Sequence, residues 1–206
     1  MPQQILVIHG GDAFDSYEEY LRNLELKMAY LDRMKVGGWK MELQKNLGEG
    51  FDVYSPTMPN AANAKYAEWK IWFEKIIPLL NDDLILVGHS LGGIFLAKYL
   101  SENQIARRVR ATFLVAAPFN TPTDHPLADF VLLENLAGLR KQGGDIFLYH
   151  SIDDVVVPFS NAQSYMSDLS DATLRSFTDR GHFNDDRLLE IEKDIQSVNN
   201  LVSTVT

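Results

Sequence analysis

The sequence predicts an α/β chain, a mostly parallel sheet with helices on both faces forming a three-layer α/β/α sandwich. Three observations point there. Short β-branched apolar runs alternate along the chain with stretches of helical period, the pattern of strand–crossover–strand units. Four of the six strand-like runs are nearly unbroken in apolar residues, as strands covered on both faces should be. The 206 residues, 46% apolar and 23% charged, suffice for one sizeable core. With no repeat, low-complexity tract or linker, a single domain spanning 1–206 is expected.

The first strand is expected at Ile5–Ile8. An unusually long connection follows, from about Gly10 to Phe51. It carries one periodic stretch (Tyr17, Tyr20, Leu21, Leu24, Met28, Leu31) and, after Gly37–Gly38, a second (Trp39, Leu43, Leu47). A crossover helix needs far less chain. Residues 12–50 therefore either lie over a site as a lid or pack as two helices on one sheet face. The second strand is Phe51–Tyr54. Next, Trp69, Trp72, Phe73, Ile76, Ile77 and Leu80 recur at i, i+3, i+4, i+7, i+8 and i+11, with Lys70, Glu74 and Lys75 turned away. That is a core-facing helical stripe.

The third strand, Leu84–Val87, runs into a glycine-rich turn and the helical Ile94–Leu100. The fourth, Ala111–Ala116, precedes a segment from Pro118 to Gly144 bearing Phe119, Leu127, Phe130, Leu132, Leu133 and Leu136. These residues either wall a pocket or pack on the sheet. The fifth and sixth strands are Ile146–Tyr149 and Thr173–Phe177. A last helix is expected to start near Asn184–Asp185–Asp186, where acidic residues complement its dipole. Leu188, Leu189, Ile191, Ile195, Val198 and Leu201 would dock it on the sheet.

Composition excludes several function classes. Without cysteine there are no disulfides, thiolate metal sites or cysteine nucleophiles. The net charge is −9, and the only basic cluster, Arg107–Arg108–Val109–Arg110, is read as solvating a helix end, so no nucleic-acid partner is expected. No apolar run approaches the roughly 18 residues of a membrane span, and no signal-peptide pattern precedes the first strand. The expected setting is cytoplasmic, without a membrane partner. His9, Asp12, Asp15 and Glu18 match no ligand spacing and read as solvated charge. With no Walker sequence and no G-x-G-x-x-G, neither metal nor other cofactor is expected.

The chemistry is concentrated in Gly88–His89–Ser90–Leu91–Gly92–Gly93. A strand directly before and a helix directly after supply the context that a bare G-x-S-x-G lacks. On such a turn the serine sits in strained backbone, and its neighbours at i−2 and i+2 must be small because backbone meets backbone. The turn also sets Ser90 at a helix N-terminus, where the free N–H of Leu91 can face a developing oxyanion.

A serine nucleophile needs a base. Of five histidines, His9, His89, His125 and His150 lie in a loop, beside the serine, in a Pro-rich connection and at a strand end. The side chain of His89 is expected to point away from Ser90. His182 lies between the last strand and the last helix, on the rim where parallel strands end, within reach of Ser90. The acid is expected between them in Ser151–Ile152–Asp153–Asp154–Val155–Val156–Val157–Pro158. Asp154 is preferred because the following apolar run can anchor it, Asp153 being a solvated or turn-forming neighbour. Asp124, after the fourth strand, is the rival. A second oxyanion donor is expected from Gly11 or Asp12 in the loop after the first strand, beside the third strand at the switch point.

These motifs, together with Thr178–Asp179–Arg180–Gly181–His182–Phe183 and Met58–Pro59, resemble the α/β-hydrolase superfamily. The likeness runs over essentially the whole chain. It is greatest to the small serine hydrolases of the family named for retinoblastoma-binding protein nine. The resemblance implies a minimal α/β-hydrolase fold, a six-stranded parallel sheet in the order 2-1-3-4-5-6. It also implies a triad of Ser90, Asp154 and His182. The chain departs from that family in its short His9–Gly10–Gly11–Asp12 loop and its longer first crossover.

The expected activity is that of a serine hydrolase acting on a small-molecule acyl substrate, an ester, thioester or amide, most nearly a carboxylesterase. Two alternatives stand beside it: a non-catalytic protein-binding module on the same scaffold, and a triad-based aminopeptidase.

Overall fold

Apolar runs with alternating sides build the sheet. The computed structural model describes residues 2–28, 38–120, 126–132 and 135–200. Its strands are β1 (Gln3–Ile8), β2 (Phe51–Tyr54), β3 (Leu84–His89), β4 (Val109–Val115), β5 (Asp145–Ser151) and β6 (Thr173–Phe177). They form one sheet in the order β2-β1-β3-β4-β5-β6, with every neighbouring pair parallel. Successive side chains of a strand face opposite sides. Leu6, Ile8, Leu84, Leu86 and Leu148 accordingly join one apolar cluster, and Ile5, Val7, Ile85, Val87 and Tyr149 the other.

Helices α3 (Tyr66–Ile76), α4 (Leu91–Glu102), α5 (Ala137–Gln142) and α6 (Ser160–Asp168) supply the first cluster. Helices α2 (Trp39–Leu47) and α7 (Leu189–Asn200) supply the second. The three-layer α/β/α sandwich and its strand order are as expected.

Four details differ from the sequence reading. Of the stripe before β3, Trp69, Phe73, Ile77 and Leu80 are buried, but Trp72 is 41% exposed. A residue at i+3 can lie on the edge of an apolar face, and Phe73, one position on, takes the core side. Helix α7 starts at Leu189 rather than near 184–186, because residues 182–185 are held in a loop by hydrogen bonds described below. Leu189 is consequently exposed, while Leu188, Ile191, Ile195 and Val198 pack. In the first crossover, α2 buries Trp39, Leu43 and Leu47, whereas α1 (Tyr17–Leu26) buries no residue and stands off the sheet. Ser16 caps α1 by accepting from the Glu19 amide at 3.1 Å.

The arginines at 107, 108 and 110 do not simply solvate a helix end. Arg107 donates to the Pro78 carbonyl at 2.7 Å, and Arg108 and Arg110 both reach the Asp83 carboxylate. From the expected stripes and segments, Leu31, Gly37, Leu133 and Leu201 lie outside the described residues. No helix among the described residues is long and apolar enough to cross a membrane.

In a parallel sheet all strand C-terminal ends share one edge. Ile8 pairs with Gly88, and His89 with Val115, so the loops after β1, β3 and β4 open side by side. The chain leaves β1 toward one side and β3 toward the other, which opens a crevice between them.

Candidate active site

Ser90 sits between β3 and α4 with φ 54° and ψ −123°, a left-handed conformation that a non-glycine residue adopts only under constraint. Its amide donates to the Val115 carbonyl at 2.8 Å, and its carbonyl accepts from the Gly93 amide at 2.8 Å. The tightness of the turn explains the flanking glycines. A Cβ on Gly88 would lie 2.5 Å from the Gly92 carbonyl oxygen, and one on Gly92 only 2.3 Å from that of Ile8. The hydroxyl of Ser90 therefore stands at the sheet edge. The Leu91 amide, first in α4, has no intrahelical acceptor.

His182 Nε2 lies 2.9 Å from Ser90 Oγ, and His182 Nδ1 lies 2.8 Å from Asp154 Oδ2. Three side chains from loops after β3, β5 and β6 thus form one hydrogen-bonded row. The Asp154 side chain is fully enclosed and that of His182 only 11% exposed. The other carboxylate oxygen, Asp154 Oδ1, accepts from the Val156 and Val157 amides at 2.8 and 2.9 Å. A carboxylate buried with all of these donors is held in one orientation.

The loop bearing His182 is fastened at several points. Asp153 accepts from the Gly181 amide at 2.9 Å and from the Ser151 hydroxyl, and Ser151 Oγ accepts from the Arg180 amide at 3.1 Å. The Ser151 hydroxyl and then the Gly181 amide hold the Asp153 carboxyl below the usual carboxylate range. Phe183, at φ 52°, plugs the second apolar cluster at 1% exposure. Its carbonyl accepts from the Trp39 indole at 3.0 Å. Asp153 is a turn-forming neighbour, as expected, and its partners are the backbone of the histidine loop.

The other histidines fill different places. His89 is 5% exposed. It points away from Ser90, with its Nε2 2.9 Å from the His182 carbonyl and its Nδ1 3.1 Å from Lys40 Nζ. Burial, with the Lys40 charge and His182 nearby, keeps its pKa well below the ordinary histidine value. Burial also lowers Lys40 to about 8. His150 Nε2 donates to the Val157 carbonyl at 2.7 Å, bracing the Asp154 loop, and burial lowers its pKa too. His9 Nε2 accepts from the Met58 amide at 2.8 Å. His125 and the rival acid Asp124 lie outside the described residues.

The loop after β1 narrows the choice of second oxyanion donor. The Asp12 amide is engaged with the Ala61 carbonyl at 2.9 Å, in a short ladder completed by Ala64 N–H to the Asp12 carbonyl. That corrects the expectation for Asp12 and leaves Gly11. A Cβ on Gly10 would meet Ser90 Cβ at 3.0 Å, so this loop lies directly against the serine. Asp12 instead turns its carboxylate to Lys27 at 2.8 Å, while the His9 ring serves Met58; neither stands free as a metal ligand.

A cleft of about 320 Å³ opens above Ser90. Gly10, Gly11, Leu91 and His182 line it beside the apolar Phe14, Leu127, Val156 and Val157 and the polar Asp12 and Asn23. Helix α1 thus reaches the mouth through Asn23. In the segment after β4, Phe130, Leu132 and Leu136 are buried in the core, and among the described leucines and phenylalanines of that segment Leu127 alone lines the cleft.

The sequence reading missed Trp39 and His89 as hydrogen-bond partners of the histidine loop, and Lys40 as a neighbour of His89. The adjacency of His89 to Ser90 was visible, but the approach of α2 to residues 182–185 is a tertiary event with no local signal.

A family model described as serine hydrolase matches residues 31–192. The chain is 26% identical over 166 residues to the serine hydrolase RBBP9 of Rattus norvegicus, covering 78% of this chain and 86% of that protein. Among solved structures, the ydeN gene product of B. subtilis superposes with a TM-score of 0.77 at 21% identity, over 96% of this chain and 99% of that one. A monoacylglycerol lipase of Paleococcus ferrophilus gives 0.59 at 17% identity, over 98% of this chain and 96% of that one. At these identities the structural likenesses are likenesses of fold.

Proposed function

The chain belongs to the serine hydrolase family, and on that premise we propose that it hydrolyses a small carboxylic ester, thioester or amide through an acyl-enzyme on Ser90, as a carboxylesterase does. The observation that carries the reading is the hydrogen-bonded row of Ser90, His182 and enclosed Asp154 at 2.9 and 2.8 Å.

Each step follows from the contacts. His182 Nε2 takes the Ser90 proton as Oγ attacks the carbonyl carbon, and Asp154 stabilises the resulting imidazolium through Nδ1–H. Charge developing on the substrate oxygen meets the Leu91 amide at the start of α4 and the Gly11 amide across the crevice. The imidazolium then returns its proton to the leaving alcohol, thiol or amine. In the second half His182 deprotonates water as it attacks the acyl carbon, and the imidazolium returns that proton to Ser90 Oγ as the acyl–oxygen bond breaks and the carboxylic acid leaves. Metal and cofactor have no part in these steps.

The partner is a small-molecule acyl substrate, supported by the modest size and apolar walls of the cleft. A cytoplasmic setting belongs to the same proposal, and subcellular fractionation tests it. For the chemistry, a fluorophosphonate probe should label the protein at Ser90, and Ser90→Ala should abolish both labelling and hydrolysis of p-nitrophenyl esters. A folded wild-type protein that takes no label and cleaves no ester would favour the non-catalytic alternative. Cleavage of aminoacyl amides in preference to esters would favour the aminopeptidase.

A further inference from the structure

The long first crossover brings α2 against the histidine loop, where two backbone carbonyls of that loop find donors on Trp39 and a third finds one on His89 at the end of β3. The Trp39 indole Nε1–H donates to the Phe183 carbonyl at 3.0 Å, and the Trp39 amide to the Asp185 carbonyl at 3.1 Å. The His182 carbonyl is met by His89 Nε2 at 2.9 Å, and Lys40, next to Trp39 in the first turn of α2, lies 3.1 Å from His89 Nδ1.

The hydrogen-bond chemistry of these atoms has one consistent assignment. A carbonyl oxygen only accepts, so His89 Nε2 carries the hydrogen. In a neutral imidazole Nδ1 then holds a lone pair, and the Lys40 amine supplies the hydrogen to it. With Nδ1 protonated instead, two donors would face each other at Lys40 and two acceptors at His182. A neighbouring hydrogen bond that sets which ring nitrogen bears the proton is a general device for histidine.

We propose that Lys40 and His89 are positioning residues for His182, the lysine selecting the His89 tautomer whose Nε2–H fixes the His182 carbonyl and hence the imidazole. The inference rests on the reading of His182 as the general base. Burial of His89 beside a lysine agrees with it, since both keep the ring neutral. The His182 ring is then constrained from both ends, by Asp154 at Nδ1 and through its own carbonyl by His89. A displacement of about 1 Å in a reacting group lowers turnover on the order of 10²-fold, so a support of this kind acts on kcat.

Ring-nitrogen NMR on protein with ¹⁵N-labelled histidine, with steady-state kinetics on a p-nitrophenyl ester, tests the proposal. Wild-type His89 should show one tautomer with the proton on Nε2. In Lys40→Met that population should fall, and kcat should drop by roughly 10- to 100-fold with KM within about twofold. His89→Gln carries an amide N–H at the Nε2 position and should recover most of the turnover that His89→Leu loses. Lys40→Met with unchanged tautomer and kcat would overturn the proposal, as would equal loss in His89→Gln and His89→Leu. Should the wild-type protein cleave no ester, the functional reading fails by itself, and the tautomer measurement still decides the role of Lys40.

Discussion

Asp154 concentrates the electrostatics of the site in one carboxylate. One oxygen accepts two backbone amides and the other faces His182 Nδ1. Replacing it with asparagine keeps the shape but offers an N–H where an acceptor is needed, which favours the wrong histidine tautomer. Turnover by Asp154→Asn should fall on the order of 10⁴-fold, the cost of the same change in serine proteases, as read from kcat on an activated ester. Gly92 is a second residue whose role is steric. Its Cβ would lie 2.3 Å from the Ile8 carbonyl oxygen. Gly92→Ala should therefore destabilise the fold by more than about 4 kcal/mol, a severe effect for one methyl group, measurable by urea denaturation. The G-x-S-x-G spacing was legible in the sequence because a strand runs directly into it and a helix directly out of it, although only Gly88 answers a contact within the turn and Gly92 answers the backbone of β1. The support of the His182 loop by Trp39, Lys40 and His89 was not, since those residues are separated from it by 93 or more positions.

At the scale of elements, the sheet and the helices follow different rules of legibility. Four of the six strands stood out because a strand buried on both faces must be apolar throughout, and the structure extends β1, β3, β4 and β5 by only two or three residues. Helical stripes are less sharp. Period and composition put Trp72 and Phe73 in one stripe, yet Phe73 is wholly enclosed and Trp72 is 41% exposed. Phe73→Ala should cost about 3–5 kcal/mol, because it leaves a cavity among Trp69, Phe95 and Tyr99. Trp72→Ala should stay within about 1 kcal/mol, as usual for a surface site. Equal losses in the two variants would contradict this assignment of faces. Helix α1 is the element whose place periodicity did not settle: its apolar residues Tyr17, Leu21 and Leu24 are exposed, and it contributes Asn23 to the cleft.

The molecule as a whole sets the size of substrate and the response to pH. A cleft of about 320 Å³ lies at the small end of ligand sites. Across p-nitrophenyl esters, kcat/KM should be highest for short acyl chains and should fall for long ones; a maximum at palmitate would contradict that. Lys40 links stability to pH. Its folded-state pKa is lowered from 10.5 to about 8 by burial, so the folded chain releases this proton first. Below about 8 the lysine is charged in both states, and the folded state bears the full desolvation cost. That cost is relieved as pH rises from 8, and above 10.5 both states are neutral. Between those limits the wild-type protein should gain stability relative to Lys40→Met, a trend that denaturant titrations at pH 7.5, 9 and 10.5 would show.

By itself the sequence determined the layered α/β architecture and the strand positions, and it singled out the serine on its turn and the histidine and aspartate that the structure brings beside it. The strands are written in a short-range period, the serine in a motif between a strand and a helix, and the histidine and aspartate in loops after parallel strands that end on one rim. Only the tertiary structure decided that the Asp12 amide is occupied, that α7 begins after a held loop, and that α2 reaches across to grip residues 182–185. Those outcomes depend on which distant backbone groups meet. A buried carbonyl or amide will take whichever partner the packing presents, and no local pattern in the chain specifies which one that is.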